Sequence, residues 1–261
     1  MNSAPQLTRF TQYASVAAVL VLLTGCASSN APKADPWEGL NRATFSFNEG
    51  VDKVLLVPAA KGYQAVTPGF VRAGVSNAFS NVGDVSNGVN NLLQGKAGTA
   101  LSDFGRLLVN STLGILGLFD VATPMGLEKS NEDFGQTLGK WGIGSGPYVV
   151  LPFLGPRTLR DAAAIYPDSQ ATGYGRWIDH VATRNAVRGL DIIQIRAELL
   201  ATTRTLDEAS LDKYQFLRDS YLQRRLNQVH DGKVPAAERD KLEEAMEPPA
   251  AVPKPSAGSA K

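Results

Sequence analysis

The chain has 261 residues, with 26 Lys and Arg against 25 Asp and Glu, so its formal net charge is +1. No basic run or basic-aromatic face occurs, which argues against nucleic acid as a partner. The single Cys leaves no internal disulfide. The two histidines, His180 and His230, stand in no metal-binding spacing. We therefore predict no metal and no cofactor.

The first 25 residues predict a lipoprotein signal peptide. Arg9 is their only charge, residues 15–23 are almost wholly apolar, and Leu23-Thr24-Gly25-Cys26 resembles the lipobox at which bacterial lipoproteins are cut and acylated. The apolar run is shorter than the roughly 20 residues that a membrane span needs. An ordinary secretory signal or an anchor helix is the alternative.

Cys26 is accordingly predicted to carry acyl chains, which would anchor the mature chain to a membrane. Residues 26–34 follow as a short polar linker. Residue 27 is Ala, whereas Asp at this position resembles an inner-membrane retention signal. We therefore expect the protein in the periplasmic leaflet of the outer membrane.

Helical spacing dominates the residues after the linker. Asp35-Pro36-Trp37-Glu38 predicts a helix with Asp35 as its N-cap, ending before Pro58. Thr67-Pro68 predicts a second start. A third helix is predicted over 84–94, with Gly95 as its stop, and a fourth from about residue 99.

Residues 107–119 are nearly all apolar or small. A run of this length is more often a buried core helix than a membrane element. A helix whose outer side meets lipid is the alternative, which the predicted anchor favours.

Residues 134–156 are rich in Gly and Pro and are not expected to form regular helix. They predict a long apolar hairpin or loop. Four glycines around Trp141 permit backbone rotation and are candidates for a hinge or gate, namely Gly139, Gly142, Gly144 and Gly146. A rigid glycine-rich turn is an equally supported alternative.

Helices are predicted again over 176–189, 191–204 and 211–229. Arg218, Arg224 and Arg225 fall off the apolar face of the last one. Residues 231–261 are dominated by Pro, Ala and charge, which predicts a disordered tail. One mostly α-helical domain over 35–230 is therefore expected.

No catalytic motif stands out. Gly144-Ser145-Gly146 lacks the glycine two residues before the serine that a nucleophile elbow requires, because residue 143 is Ile. No phosphate-binding loop or dinucleotide fingerprint occurs. We therefore expect no catalytic residues and no enzyme.

Four features of the chain are specific in sequence and order. They are DPWEGLNR at 35–42, Phe45, the pair Phe47-Asn48, and TLGKWGIGSGPYVVLPFLGPRTLRD at 137–161. Together they resemble the MlaA (VacJ) family of outer-membrane lipoproteins. The resemblance covers about 35–225, in the expected order after a lipobox. Lys213 departs from it, since Pro is expected there in many relatives, and this affects only the start of the last helix.

The resemblance implies an all-α fold, a ring of amphipathic helices around a central channel. It further implies removal of misplaced phospholipid from the outer leaflet, transfer to a soluble periplasmic carrier of the MlaC type, and association with trimeric porins. The carrier would return the lipid to the inner membrane and so maintain lipid asymmetry.

A channel for phospholipid needs a polar path for the head group. Arg157, Arg160 and Asp161, just after the apolar hairpin, are the candidates for it. An ordinary ion pair at a helix start is the alternative. For the whole protein, the competing functions are a porin-bound structural adaptor and a phospholipase or acyltransferase.

Overall fold

The computed structural model describes residues 31–171 and 178–248, which form helices and one small sheet. The helices are α1 (Glu38–Val51), α2 (Val57–Val66), α3 (Gly69–Leu93), α4 (Ala97–Thr112), α5 (Phe134–Lys140), α6 (Leu159–Ala171), α7 (Val181–Ala209), α8 (Lys213–Val229) and α9 (Ala236–Met246). A π-helical turn, Asp52–Leu56, joins α1 to α2. The predicted α-helical class is confirmed.

The predicted apolar hairpin is formed by two antiparallel strands, β1 (Tyr148–Leu151) and β2 (Gly155–Thr158). Tyr148 pairs with Thr158 and Leu151 with Gly155, so residues 152–154 make the tip. Tyr148 and Val150 point inward, where they pack with Tyr214 and Leu222 of α8. This apolar cluster joins the hairpin to the C-terminal half of the chain.

Most other buried side chains are polar, above all between α3 and α4, which pack against each other. The buried polar residues on these two helices are Asn81, Asp84, Ser86, Asn87, Asn90, Asn91, Asp103, Arg106 and Asn110. Buried polar groups must find hydrogen-bond partners inside the protein. The interior is therefore organised by polar pairs rather than by apolar contacts.

Arg106 lies at the middle of this interior and is 2% exposed. Its guanidinium lies 3.1 Å from Asp120 and 3.4 Å from Asp84, and it donates to the carbonyl of Leu127 at 2.6 Å. Lys129 adds a second cation 2.7 Å from Asp84. These contacts fix the loop after α4 against both helices.

The outside of the same helices is apolar. Large hydrophobic side chains stand exposed along α3, α4 and the following turn, including Phe70, Leu101, Leu108, Leu113, Ile115, Leu116 and Phe119. The prediction of a buried core helix over 107–119 is thus wrong. The helix ends at Thr112, and Ile115 and Leu116 adopt positive φ in the turn beyond it.

Among the described helices, none combines the length and the hydropathy that crossing a membrane requires.

Two predictions for the first helix are wrong. Asp35 does not cap it, because its buried carboxylate instead accepts hydrogen bonds from Asn41 and Tyr214, and α1 begins at Glu38. The helical path also continues past Pro58. The π-helical turn shifts the hydrogen-bond ladder so that Pro58 falls in the first turn of α2, where a missing N–H costs nothing.

Helix boundaries elsewhere differ from the predictions as well. The second and third predicted helices are one, α3, which ends at the predicted stop Gly95 with φ +78°. Gly189 does not interrupt α7, since an internal glycine costs only about 1 kcal/mol. Residues 134–140 are helical because Asp133 caps α5, and α6 was not predicted.

The predicted disordered tail is wrong for residues 236–246, which form α9. Leu242 and Met246, four residues apart on one face, pack against the cluster of Tyr148 and Tyr214. The predicted signal peptide, Cys26 and residues 249–261 lie outside the described residues.

We predict that Arg106→Leu lowers the free energy of unfolding by about 3 kcal/mol. The substitution removes the cation beside the buried carboxylate of Asp84 and the partly exposed carboxylate of Asp120. Thermal unfolding in detergent measures the loss. The matched control is Arg204→Leu, on the exposed surface of α7, which should change stability by less than about 0.5 kcal/mol. Equal effects of the two substitutions would contradict the structural role of Arg106.

Candidate functional site

The hairpin is held from one side by two asparagines of α1. Asn41 donates to the carbonyl of Tyr148 at 3.1 Å and accepts from the N–H of Val150 at 2.9 Å. Asn48, two turns later on the same face, donates to the carbonyl of Leu151 and accepts from the N–H of Phe153. The two amides therefore act as a partner strand for β1.

This support orients an apolar tip. Phe153 has φ +63° and is 74% exposed, and its ring meets the ring of Phe47 edge-on at 5.4 Å. A bulky residue rarely adopts positive φ without surrounding support. The hydrogen bonds of Asn48 on either side of Pro152 supply that support.

A second buried arginine, Arg225 of α8, lies at the other end of the hairpin. Its guanidinium donates to both oxygens of Asp133, at 2.6 and 2.9 Å, and to both oxygens of Asp161, at 2.9 and 2.8 Å. Tyr221, one turn earlier, donates to Asp161 at 2.7 Å. Asp133 caps α5 and Asp161 lies in the first turn of α6, so Arg225 joins three helices.

The carboxylates of Asp133 and Asp161 and the guanidinium of Arg225 all stay ionised. Burial alone would raise the pKa of Asp161, but the hydrogen bonds and positive charge of Arg225 outweigh it and hold that pKa at about 2. The pKa of Asp133 is lowered against burial in the same way. The pKa of Arg225 is raised by its two carboxylates, again against the effect of burial. The site is a fixed, fully charged centre.

Arg225 lines two cavities. The first cavity, about 550 Å³, lies between the glycine-rich segment 142–146, α8 and α9. The second cavity, about 470 Å³, has a polar wall that includes Asp133, Arg157, Asp161, Asp168, Arg224 and Arg225. Both volumes fall in the range of roughly 300–1,000 Å³ that is typical of ligand sites.

The three predicted polar residues lie at this centre. Arg160 pairs with Asp161 at 3.1 Å and lines the first cavity, whereas Arg157 and Asp161 line the second. Arg160 and Asp161 do form the ion pair at a helix start that was the alternative. Both side chains are buried, however, rather than at the surface. Arg225 and Asp133, which complete the centre, were not among the residues predicted from the sequence.

The four predicted hinge glycines differ in their surroundings. Gly139 is inside α5, where a Cβ would lie 2.8 Å from Arg160 and 2.9 Å from Val229, so close packing accounts for this glycine. Gly142 and Gly146 have positive φ, and Gly144 has open space around it. Positive φ therefore accounts for glycine at 142 and 146, and the segment 142–146 forms a wall of the first cavity.

Asp168 faces the second cavity from α6. Burial raises its pKa to about 6, and the nearby negative charge of Asp133 adds to this rise. The N–H of Phe134 donates to Asp168 at 2.9 Å and acts in the opposite direction. This wall of the cavity therefore changes charge in mildly acidic conditions.

Neither histidine is placed for catalysis. His180 caps α7 by accepting from the N–H of Thr183, and the Nδ1 of His230 lies 3.0 Å from the carbonyl of Leu226. Within residues 31–171 and 178–248, no group of three or more His, Cys, Asp and Glu side chains is arranged to hold a metal ion.

Comparisons with known proteins agree on one family. The model of the MlaA lipoprotein family matches residues 33–228. The lipoprotein MlaA of the intermembrane phospholipid transport system of Shigella flexneri is 36% identical over 219 residues, covering 78% of this chain and 82% of the relative. The protein of the same name from Escherichia coli K12 is also 36% identical over 219 residues.

Other similarities are shorter or structural. An uncharacterised protein of Rickettsia typhi is 41% identical over 140 residues, so the chain spans about half the length of that relative, 54%. A solved structure from work on the structural basis for maintenance of bacterial outer membrane lipid asymmetry matches with a TM-score of 0.65 and 34% identity. The match covers 75% of this chain and 98% of the chain in the solved structure.

The packing around the glycines predicts that the same Gly→Ala substitution destabilises the protein at one site and leaves it unchanged at another. Gly139→Ala should lower the free energy of unfolding by about 1–3 kcal/mol, because its methyl group overlaps Arg160 and Val229. Gly144→Ala, with open space around it, should change stability by less than about 0.5 kcal/mol. Chemical denaturation measures both, and a stable Gly139→Ala variant would refute the packing role.

Asp168 predicts a pH dependence of stability. Its folded pKa of about 6 exceeds its ordinary value of 3.8, so its ionisation opposes folding, and stability falls as pH rises through that interval. Asp168→Asn should remove this loss. As the pH rises from about 4 to 6.5, the free energy of unfolding of the variant should therefore gain on the order of 1 kcal/mol relative to wild type, after allowance for solvent screening. A difference in unfolding free energy between the two proteins that stays constant with pH would contradict the raised pKa of Asp168.

Proposed function

The chain belongs to the MlaA lipoprotein family, and from this membership we propose that it removes mislocalised phospholipid from the outer leaflet of the outer membrane. The lipid passes through an amphipathic channel and is handed to a periplasmic carrier, which keeps the two leaflets asymmetric. The names of its relatives, lipoproteins of an intermembrane phospholipid transport system, support this function.

The observation that carries the proposal is the inverted polarity of the fold. Charged and amide side chains fill the interior between α3 and α4, whereas leucines and phenylalanines cover the outside. A large exposed apolar surface on a protein normally marks a contact with another apolar phase. A ring with a polar interior lying in one leaflet satisfies both surfaces at once and needs no membrane-spanning helix.

Acyl chains on Cys26 would restrain this ring in the periplasmic leaflet. Two or more chains give stable anchoring, since each buried methylene contributes about 0.8 kcal/mol. Residues 33 and 34 contact α9, so the linker from the anchor meets the domain beside the first cavity. The anchor thereby fixes which side of the domain lies near the membrane surface.

The polar centre provides a route for the head group. Arg157 lines the second cavity, and its guanidinium donates to the neighbouring carbonyl of Pro156 rather than to a carboxylate among the described contacts. It can therefore exchange that bond for a lipid phosphate. Arg160 and Asp161 stay paired beside Arg225 and supply the charged wall that keeps acyl chains out.

The segment 142–146 is the proposed gate. Gly142, Gly144 and Gly146 border the first cavity, and the exposed Ile143 between them offers an apolar surface to the acyl chains. A trimeric porin and a carrier of the MlaC type are the proposed partners, and no catalytic step is proposed. Energy for transfer would come from the partners or from the lipid gradient, because no nucleotide-binding motif occurs.

The test is transfer of labelled phospholipid from vesicles holding the purified lipoprotein to a soluble carrier. Arg157→Ala should slow transfer by about tenfold, the equivalent of one charge-assisted hydrogen bond to phosphate, with thermal stability unchanged. Arg204→Ala, a cation on the exposed face of α7, is the matched control and should transfer at the wild-type rate.

The same assay separates the competing functions. Wild-type protein that carries no phospholipid and transfers none, yet still binds a porin, would be a structural adaptor. That result would contradict the transport proposal. Fatty acid or lysophospholipid released by the pure protein would indicate a lipid-cleaving enzyme.

A further inference from the structure

Helix α9 lies beyond residues 33–228, the part of the chain that the family model matches. It follows a short linker in which Asp231 and Gly232 have φ of +52° and +78° and Pro235 precedes the helix. The chain therefore reverses after α8 and lays α9 back onto the domain. Of the described residues, α9 is the element whose placement the family resemblance does not explain.

The helix covers one side of the first cavity. Glu238, Lys241, Leu242 and Ala245 of α9 form part of its lining. The rest of the lining includes Gly144 and Ser145 of the glycine-rich segment, and Leu222 and Leu226 of α8. Movement of α9 away from the domain would open this cavity along its whole α9 side.

The attachment of α9 is weak for an element of this size. Lys33 and Glu244 form an ion pair whose two side chains are exposed, and such pairs contribute little to stability. The N–H of Ala34 donates to the carbonyl of Ala245 at 2.8 Å. Leu242 and Met246 are only half-buried against the apolar cluster, and α9 has no fully buried residue. Elements with few buried contacts open at low cost.

We propose that α9 is a detachable strap that closes the first cavity and opens it when the strap leaves the domain. Because two of its contacts are with residues 33 and 34, the strap also links the cavity to the proposed acyl anchor. The further claim, that opening the strap controls release of phospholipid to the periplasm, rests on the proposed function.

The first test measures strap opening without any transport. Leu222 is buried beneath the strap and lines the cavity, so the thiol of Leu222→Cys should react slowly with maleimide in the full-length lipoprotein. Adding Leu242→Ala and Met246→Ala should raise the labelling rate by about tenfold or more. Asp240→Ala, on the exposed face of α9, is the matched control and should not raise it.

Equal labelling rates in the strap-weakened and control proteins would overturn the proposal. Hydrogen exchange on the unmodified protein provides a second measurement that does not depend on Leu222→Cys folding. Amides of 236–246 should exchange at least about tenfold faster than those of α8. Protection of α9 equal to that of α8 would equally refute a detachable strap.

The second test locks the strap. Ala34→Cys with Ala245→Cys places two thiols at the backbone contact between linker and strap, and oxidation should join them. Phospholipid transfer should fall by about tenfold in the oxidised protein and recover with a reductant, whereas Ala245→Cys alone should respond to neither treatment.

Transfer that is unaffected by the lock would refute control by the strap. If the single-cysteine control transfers no lipid, the proposed function fails instead, and the labelling and exchange results still decide whether α9 detaches.

Discussion

Burial of arginine is the constraint on which this structure depends. Arg106, Arg218 and Arg225 are each at most 8% exposed, and a buried cation is tolerated only when carboxylates neutralise it. Asp84 and Asp120 meet Arg106, Asp35 and Asp219 meet Arg218, and Asp133 and Asp161 meet Arg225. The centre of Arg106 joins α3, α4 and the loop that follows, and the centres of Arg218 and Arg225 join segments far apart in sequence. Satisfying the three charges therefore specifies how the helices come together.

The same constraint explains the division between interior and surface. Polar groups that pair with one another can occupy the inside, which leaves the apolar side chains of α3 and α4 on the outside. In water such a surface would drive aggregation, whereas in a lipid leaflet it is compatible with its surroundings. The arrangement also leaves charged walls beside cavities at Arg225, which is what a path for a charged head group through a protein in lipid requires.

The sequence predicted the local features well and the long-range ones poorly. Thr67-Pro68, Gly95 and the alternation of Gly and Pro before 156 act through nearby backbone, so the helix start, the helix stop and the hairpin were confirmed. Asp35 was misassigned and Arg225 was missed, because spacing on one helix cannot show which distant residue a charge will pair with. The docking of α9 also depends on partners distant in sequence, the Tyr148–Tyr214 cluster. The helix at 134–140, in contrast, begins at a local cap, Asp133, which the sequence already contained.

If the ring lies in the leaflet as proposed, the apolar outer surface of α4 contacts hydrocarbon. A spin label on Leu108→Cys, in vesicles, tests it through collision rates with oxygen, which is concentrated in the bilayer, and with a water-soluble nickel complex. The same label on Gln223→Cys of α8 is the comparison, since that residue is polar and exposed. Oxygen should reach residue 108 readily and the nickel complex should not, with the reverse at residue 223. Nickel reaching residue 108 as readily as residue 223 would contradict it.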